Sequence, residues 1–200
     1  MRAKRGIAYP IESLLLAAFL VTGWAPSGQS QGGAPNKGQA EDAAGYKEFL
    51  DRVQGYVQLH KSVESTLPAL KPTELPEMIA AHEQALARKI REARPNAQPG
   101  DIFTDKSKEV FRHAIRDTFK GPHGRHARTT IRQGEPLKEV HLSVNQVYPK
   151  GVPFTTVPPT LLLKLPKLPN EVVYRIVDRD LLLLDVNANL VVDLIPEVIR

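Results

Sequence analysis

The stretch "YRIVDRDLLLLDVNANLVVDLIP" (174–196) decides how this chain is read. It is the most apolar segment after the N-terminus, yet single charged residues cut it at odd intervals. Its longest unbroken apolar run is Leu181–Leu184, and Asp178, Asp180, Asp185 and Asp193 interrupt every window of bilayer-spanning length. A membrane insertion is therefore excluded for this stretch. Two turn-like triplets, Asp178-Arg179-Asp180 and Asn187-Ala188-Asn189, separate three short segments rich in Val, Leu and Ile. That pattern predicts a three-stranded antiparallel meander. With three-residue turns, Val177 pairs with Leu181 and Val186 with Leu190. One face then carries Val172, Tyr174, Ile176, Leu182, Leu184, Val186, Leu190, Val192 and Leu194, and the opposite face takes Arg175, Asp185 and Asp193. Slipping one hairpin by one residue would place Arg175 among the apolar side chains, so burial selects this register. In it Arg175 lies near both aspartates. The uncharged face needs a cover.

Helices upstream are expected to supply it. Tyr46, Phe49, Leu50, Val53, Tyr56, Val57 and Val63 recur mostly at three- and four-residue intervals, which predicts a helix over about 43–65. A second helix is expected from an N-cap at Thr73, with Pro76 in its first turn, to about Arg94, where Pro95 stops it. It presents Ile79, Leu86 and Ile90. A third begins near Asp105, presents Val110, Phe111, Ala114, Ile115 and Phe119, and closes at Gly121-Pro122. After residue 134 the period changes: Val140, Leu142 and Val144 alternate with His141 and Ser143, which is strand spacing. The proline-rich passage that follows reads as an extended strap with one helical turn near "PPTLLLKLP" (158–166). The expected fold class is α+β, with about three N-terminal helices packed on a small C-terminal antiparallel sheet built mainly from 137–148 and 171–195.

Residues 157–195 also carry a resemblance. Their order of prolines and leucines, Tyr174-Arg175, the D-x-L-L-x-D of 180–185 and Leu190-Val191-Val192-Asp193 is similar to the C-terminal module of small periplasmic proteins of the nickel/cobalt-homeostasis type, and to related bacterial exported domains of unknown function. The resemblance implies a periplasmic location and a non-catalytic, stress- or metal-related role.

The N-terminus points the same way on separate grounds. Arg2, Lys4 and Arg5 precede the apolar run Leu14–Val21, and small or polar residues follow, the order of a secretory signal peptide over 1–30. The apolar run falls short of spanning length. Residues 31–42 read as a flexible linker, leaving 43–200 as a single α+β domain with a helical part over 43–120 and a mainly β part over 137–196. The chain holds 27 Lys and Arg against 22 Asp and Glu, but cleavage after Ser30 removes Arg2, Lys4, Arg5 and Glu12 and leaves a net of +3. Nucleic acid is not an expected partner, and no membrane span is expected in the mature chain. There is no cysteine, which excludes disulfides, thiol chemistry and lipid attachment through a thioether.

Three clusters invite a chemical reading. Along 106–132 basic residues predominate, and Arg112, Arg116 and Lys120 share one helix face; with Arg125 and Arg128 they suit an anionic ligand or protein partner, against the plain alternative of a solvated face or a pairing with the acidic sheet. His123 and His126, with His113 upstream, have spacing that could share zinc, copper or nickel, although Arg125 and Arg128 would repel a cation. Asp185-Val186-Asn187-Ala188-Asn189 imitates the opening of a calcium loop, but Leu190 and Pro196 stand where glycine and the bidentate glutamate belong. His60, His82 and His141 could each act as a base, yet no nucleophile or orienting partner is visible by motif. The sequence thus describes an exported, non-enzymatic accessory protein that needs no cofactor and binds an anionic or protein partner, with metal handling and an unrecognised hydrolase as alternatives.

Overall fold

Apolar side chains at three- and four-residue spacing set the helical layer of the computed structural model, which describes residues 36–72, 75–120, 124, 141–153, 155 and 157–199. These lie in one compact unit, Pro35–Arg200. The expected signal peptide, and the first residues of the expected linker, fall outside the described residues.

Helix α1 (Lys37–Glu64) starts six residues earlier than the periodicity suggests. The cause is local chemistry. Asn36 accepts the Gly38 N–H at 3.1 Å, and Gln39 Oε1 accepts the Asn36 N–H at 3.2 Å, so two otherwise orphaned donors are satisfied. The linker expectation for 37–42 is corrected accordingly. Gly45, Phe49, Val53, Tyr56, Val57 and His60 form the buried stripe of α1. Helix α2 (Pro76–Ala93) buries Leu86, Ala87 and Ile90. Its N-cap position is Leu75, which makes no side-chain cap bond; the expected cap, Thr73, lies outside the described residues. Helix α3 (Asp105–Lys120) begins where expected and buries Ser107, Val110, Phe111, Ile115 and Phe119. Both α2 and α3 pack on α1. At Gly45 the approach to α3 is so close that a Cβ would stand 2.6 Å from Val110 Cγ2. A single turn, α4 (Pro159–Leu162), sits against α3.

Strands β1 (Val172–Val177), β2 (Asp180–Asp185) and β3 (Leu190–Ile195) form an antiparallel sheet in that order. The meander stands; its register does not. Val177 pairs with Asp180 and Asp185 with Leu190, and a bulge falls between Leu183 and Leu184. The turns therefore hold two and four residues rather than three each. Asp178 (φ 50°) and Asn189 (φ 47°) sit in the left-handed region, which short polar side chains tolerate and which lets the chain reverse tightly.

This shift redistributes the faces. Val172, Tyr174, Ile176, Leu181, Leu183, Leu190, Val192 and Ile195 join the helices in the main core. Phe49, Phe103, Phe111 and Tyr174 meet there with ring centroids 4.8–6.2 Å apart. Asp185 and Asp193 lie on that same helix-facing side, fully buried, instead of opposite it. Arg175, paired with Leu182 across the ladder, is on the other side and meets neither aspartate. Burial does not expel a carboxylate whose oxygens are all hydrogen-bonded, and both of these are.

The second face is covered too. Val177, Leu182, Leu184, Val191 and Leu194 pack with Leu142 and with Tyr148 and Val152 of the proline-rich passage. Residues 141–144 are not the strand their alternation suggests, and 137–140 lie outside the described residues. Among the described residues the backbone here meets the sheet through isolated bridges, Val147 to Leu190 and Thr155 to Ile176, and through bonds between Asn145, Gln146 and Tyr148 and the start of β3 with the turn before it. These bridges lie on the outer edges of β3 and β1, so the strap blunts both edges that would otherwise invite pairing.

Candidate functional site

Residues four apart on a helix stack on one face, and on α3 that rule brings Arg112, Arg116 and Lys120 into one groove of about 620 Å³. Its floor is Ile115, Phe119, Val198 and Ile199, all nearly fully buried, and Glu109 and Glu197 stand at its rim. The three cations are not equivalent. Arg112 reaches Glu109 at 3.1 Å and Lys120 reaches Asp117 at 3.5 Å, both within the helix. Arg116 has no carboxylate within ion-pair distance among the described residues, and it also borders a neighbouring groove with Lys106 and His113. Of the acids in and after the sheet, Asp185 and Asp193 are buried and engaged elsewhere, whereas Glu197 stands at this groove without an ion pair to its cations among the described residues. Arg125 and Arg128 lie outside the described residues.

Of the three histidines with metal-ligand spacing, His123 and His126 also lie outside the described residues. His113 is exposed and faces Asp117 at 3.2 Å and Asp42 at 3.9 Å. Among the described residues no three His, Asp or Glu side chains are gathered as a metal-binding set.

A second constellation was not legible as a site. His60 is fully buried, and its Nδ1 lies 2.6 Å from Asp185 Oδ2. Tyr56 donates its hydroxyl to the same oxygen at 2.7 Å. Asp185 Oδ1 accepts the N–H groups of Asn187 and Ala188 at 3.0 and 2.9 Å. The calcium-like opening is thereby explained: Asp185 points inward and caps its own turn, while Asn189 donates to the Tyr148 carbonyl. Burial, helped by the charge and hydrogen bond of Asp185, holds the Tyr56 phenol far above its ordinary range, with Arg94 over its ring at 5.2 Å opposing. The signal that could have exposed this cluster is that Tyr56 and His60 fall on the buried stripe of α1, where a polar group must find a partner. The partner, 125 residues on from His60, carries no such mark.

Asp193 performs a parallel task. Its carboxylate accepts the N–H groups of Gly100 (3.1 Å), Ile102 (2.8 Å), Phe103 (2.8 Å) and Leu194 (2.8 Å). It thereby fixes the loop that delivers Phe103 to the core and starts α3. His82 lines a separate groove beside α2, and His141 is exposed.

Fold and groove together define an α+β protein, three helices on a three-stranded meander, with a cationic groove on its third helix. Comparison of the chain with family models, curated proteins and solved structures finds no match.

Proposed function

We propose that this chain is an exported, non-enzymatic accessory protein that binds an anionic partner in the groove of α3. The observation that carries the reading is the alignment of Arg112, Arg116 and Lys120 along one groove, with Arg116 unpaired by any described carboxylate. Binding clefts commonly enclose about 300–1,000 Å³, and this one falls within that range. Its apolar floor exposes too little surface to hold a hydrocarbon chain, and acts instead as a low-dielectric wall that strengthens the field of the guanidinium groups. Phosphate, sulfate or carboxylate groups fit that chemistry, because guanidinium offers them paired donors. The basic start and short apolar run of the N-terminus support export, as does the resemblance of residues 157–195 to exported modules. The non-enzymatic reading draws support from His60. It is a histidine with an orienting carboxylate, yet its other ring nitrogen is sealed from solvent and no substrate can reach it.

The test is a titration of the full chain with inorganic phosphate, heparin and anionic lipid vesicles, followed by amide shifts or co-sedimentation. Binding should weaken steeply with salt. Arg112→Glu with Arg116→Glu should abolish it while leaving the melting temperature nearly unchanged, since both side chains lie at the surface. Binding that survives the double reversal would overturn the assignment, as would failure of all three probes to move any residue lining the groove.

A further inference from the structure

The imidazole of His60 lies between two carboxylates. Asp185 Oδ2 is 2.6 Å from Nδ1, and Glu64 Oε2 is 3.6 Å from Nε2. Tyr56 and the N–H groups of Asn187 and Ala188 donate to Asp185, so its oxygens serve as acceptors, and the complementary arrangement at the 2.6 Å contact places the proton on His60 Nδ1. A neutral ring would then aim the bare lone pair of Nε2 at the Glu64 carboxylate, acceptor against acceptor, with no hydrogen-bond partner for that buried nitrogen. An imidazolium removes the conflict. It donates from Nδ1 to Asp185 and sets its positive charge within ion-pair distance of Glu64 on the Nε2 side.

The position of this ring gives the protonation a consequence. His60 belongs to the next-to-last turn of α1, and Asp185 caps the β2–β3 turn. Residues from both elements, Lys61, Glu64, Val186 and Asn187, line a groove of about 700 Å³ that Ile79 and His82 of α2 close from the other side. We propose that His60 is a proton-operated latch: as an imidazolium it ties the end of α1 to the β2–β3 turn and holds Glu64 against its ring at the wall of this groove, and on losing its proton it frees Glu64 to move away from the ring.

The other charges around the ring do not cancel the effect. Within α1, Tyr56 is committed to Asp185, and Lys61 turns away to Glu171 at 2.9 Å. Glu171, just before β1, adds negative potential. Arg94, beyond α2, is spent over the Tyr56 ring, and His82 and Glu83 face the groove on the far side of Glu64. Burial is the largest single influence on His60 and favours the neutral form, but the hydrogen bond and charge of Asp185, with Glu64 and Glu171, outweigh it, and the net displacement is upward from 6.5. A raised value means that the latch is fully closed below pH 6.5 and opens as pH rises through the elevated folded-state value. The latch would report the acidity of the protein's surroundings at the groove.

Ring-nitrogen NMR on the full chain reads the device directly. The expected result is a His60 midpoint above 6.5, with the amides of Asn187 and Ala188 titrating at the same midpoint. Glu64→Gln, at a half-exposed position that should not disturb folding, is expected to lower the midpoint by about 0.5–1 unit, less than the full effect of a buried partner at contact distance. A midpoint at or below 6.5 in the wild-type chain would overturn the proposal, as would turn amides that ignore the titration, or a midpoint that Glu64→Gln leaves unmoved.

Discussion

Replacing Asp193 by asparagine changes one oxygen to an amide nitrogen and leaves the volume of a fully buried side chain almost the same. The carboxylate serves four backbone donors: Oδ2 takes Ile102 and Phe103, Oδ1 takes Leu194, and Gly100 is shared between them at 3.1 and 3.2 Å. Asparagine keeps one acceptor oxygen. Its best orientation leaves that oxygen on Ile102 and Phe103 and turns an NH2 group toward the Leu194 N–H. One buried donor is then orphaned, at about 1–3 kcal/mol, the two short bonds to Ile102 and Phe103 become neutral ones, at about 1 kcal/mol each, and the longer, part-buried Gly100 bond stays on the same oxygen at little cost. The sum is about 3–5 kcal/mol, a large share of the roughly 5–15 kcal/mol that holds an ordinary domain together. For a domain of this size the melting temperature should fall by about 6–20 °C. Urea unfolding followed by circular dichroism should show a lower midpoint with an unchanged slope. Asp51→Asn, which breaks only the exposed contact with Lys47, is the control and should cost under about 0.5 kcal/mol. A loss below about 1 kcal/mol at Asp193 would refute the reasoning. It would mean that the cost of desolvating the carboxylate cancels its hydrogen bonds.

Two glycines of α1 should respond oppositely to alanine. Gly55 has nothing within 4 Å of a new Cβ, so Gly55→Ala should stabilise by about 0.5–1 kcal/mol, whereas Gly45→Ala meets Val110 Cγ2 at 2.6 Å and should destabilise by about 1–2 kcal/mol, with Val110→Ala relieving the clash; chemical denaturation of the variants checks both. Tyr56→Phe removes one donor from Asp185 without changing the packing of the ring and should cost about 1–2 kcal/mol, measured the same way. At alkaline pH, burial, with Asp42 nearby, pushes Tyr46 up to about 12, and burial also raises Tyr56, Tyr148 and Tyr174. Because the fold favours the protonated phenols, their contribution is intact below pH 10 and is lost as pH climbs beyond it. An ultraviolet titration should show these four tyrosines ionising together with the loss of circular dichroism, and phenolates appearing at pH 10 in an intact fold would contradict their burial.

The three helices were legible because each carries its own apolar stripe, and α3 could be placed almost to the residue. The start of α1 was not, since residues 37–42 have no apolar period and the helix there rests on the Asn36–Gln39 cap. Arg112, Arg116 and Lys120 could be seen to share a face from spacing alone. That Val198 and Ile199 would close a groove against them could not, because nothing local links the end of the chain to α3. His60 was visible only as an isolated histidine. Its partner became apparent once β2 came to rest against α1.

The amino-acid sequence by itself determined the three amphipathic helices, the three-stranded meander and the absence of a membrane span in its apolar C-terminal stretch, because those depend on patterns within a few residues. Tertiary structure decided the register of the sheet and the direction of its charges. The rule that charged side chains face outward holds while water is the best solvent available to them. In this fold Tyr56, His60 and six backbone N–H groups solvate Asp185 and Asp193 in place of water, so the two aspartates became the interior ties that fasten the helices to the sheet.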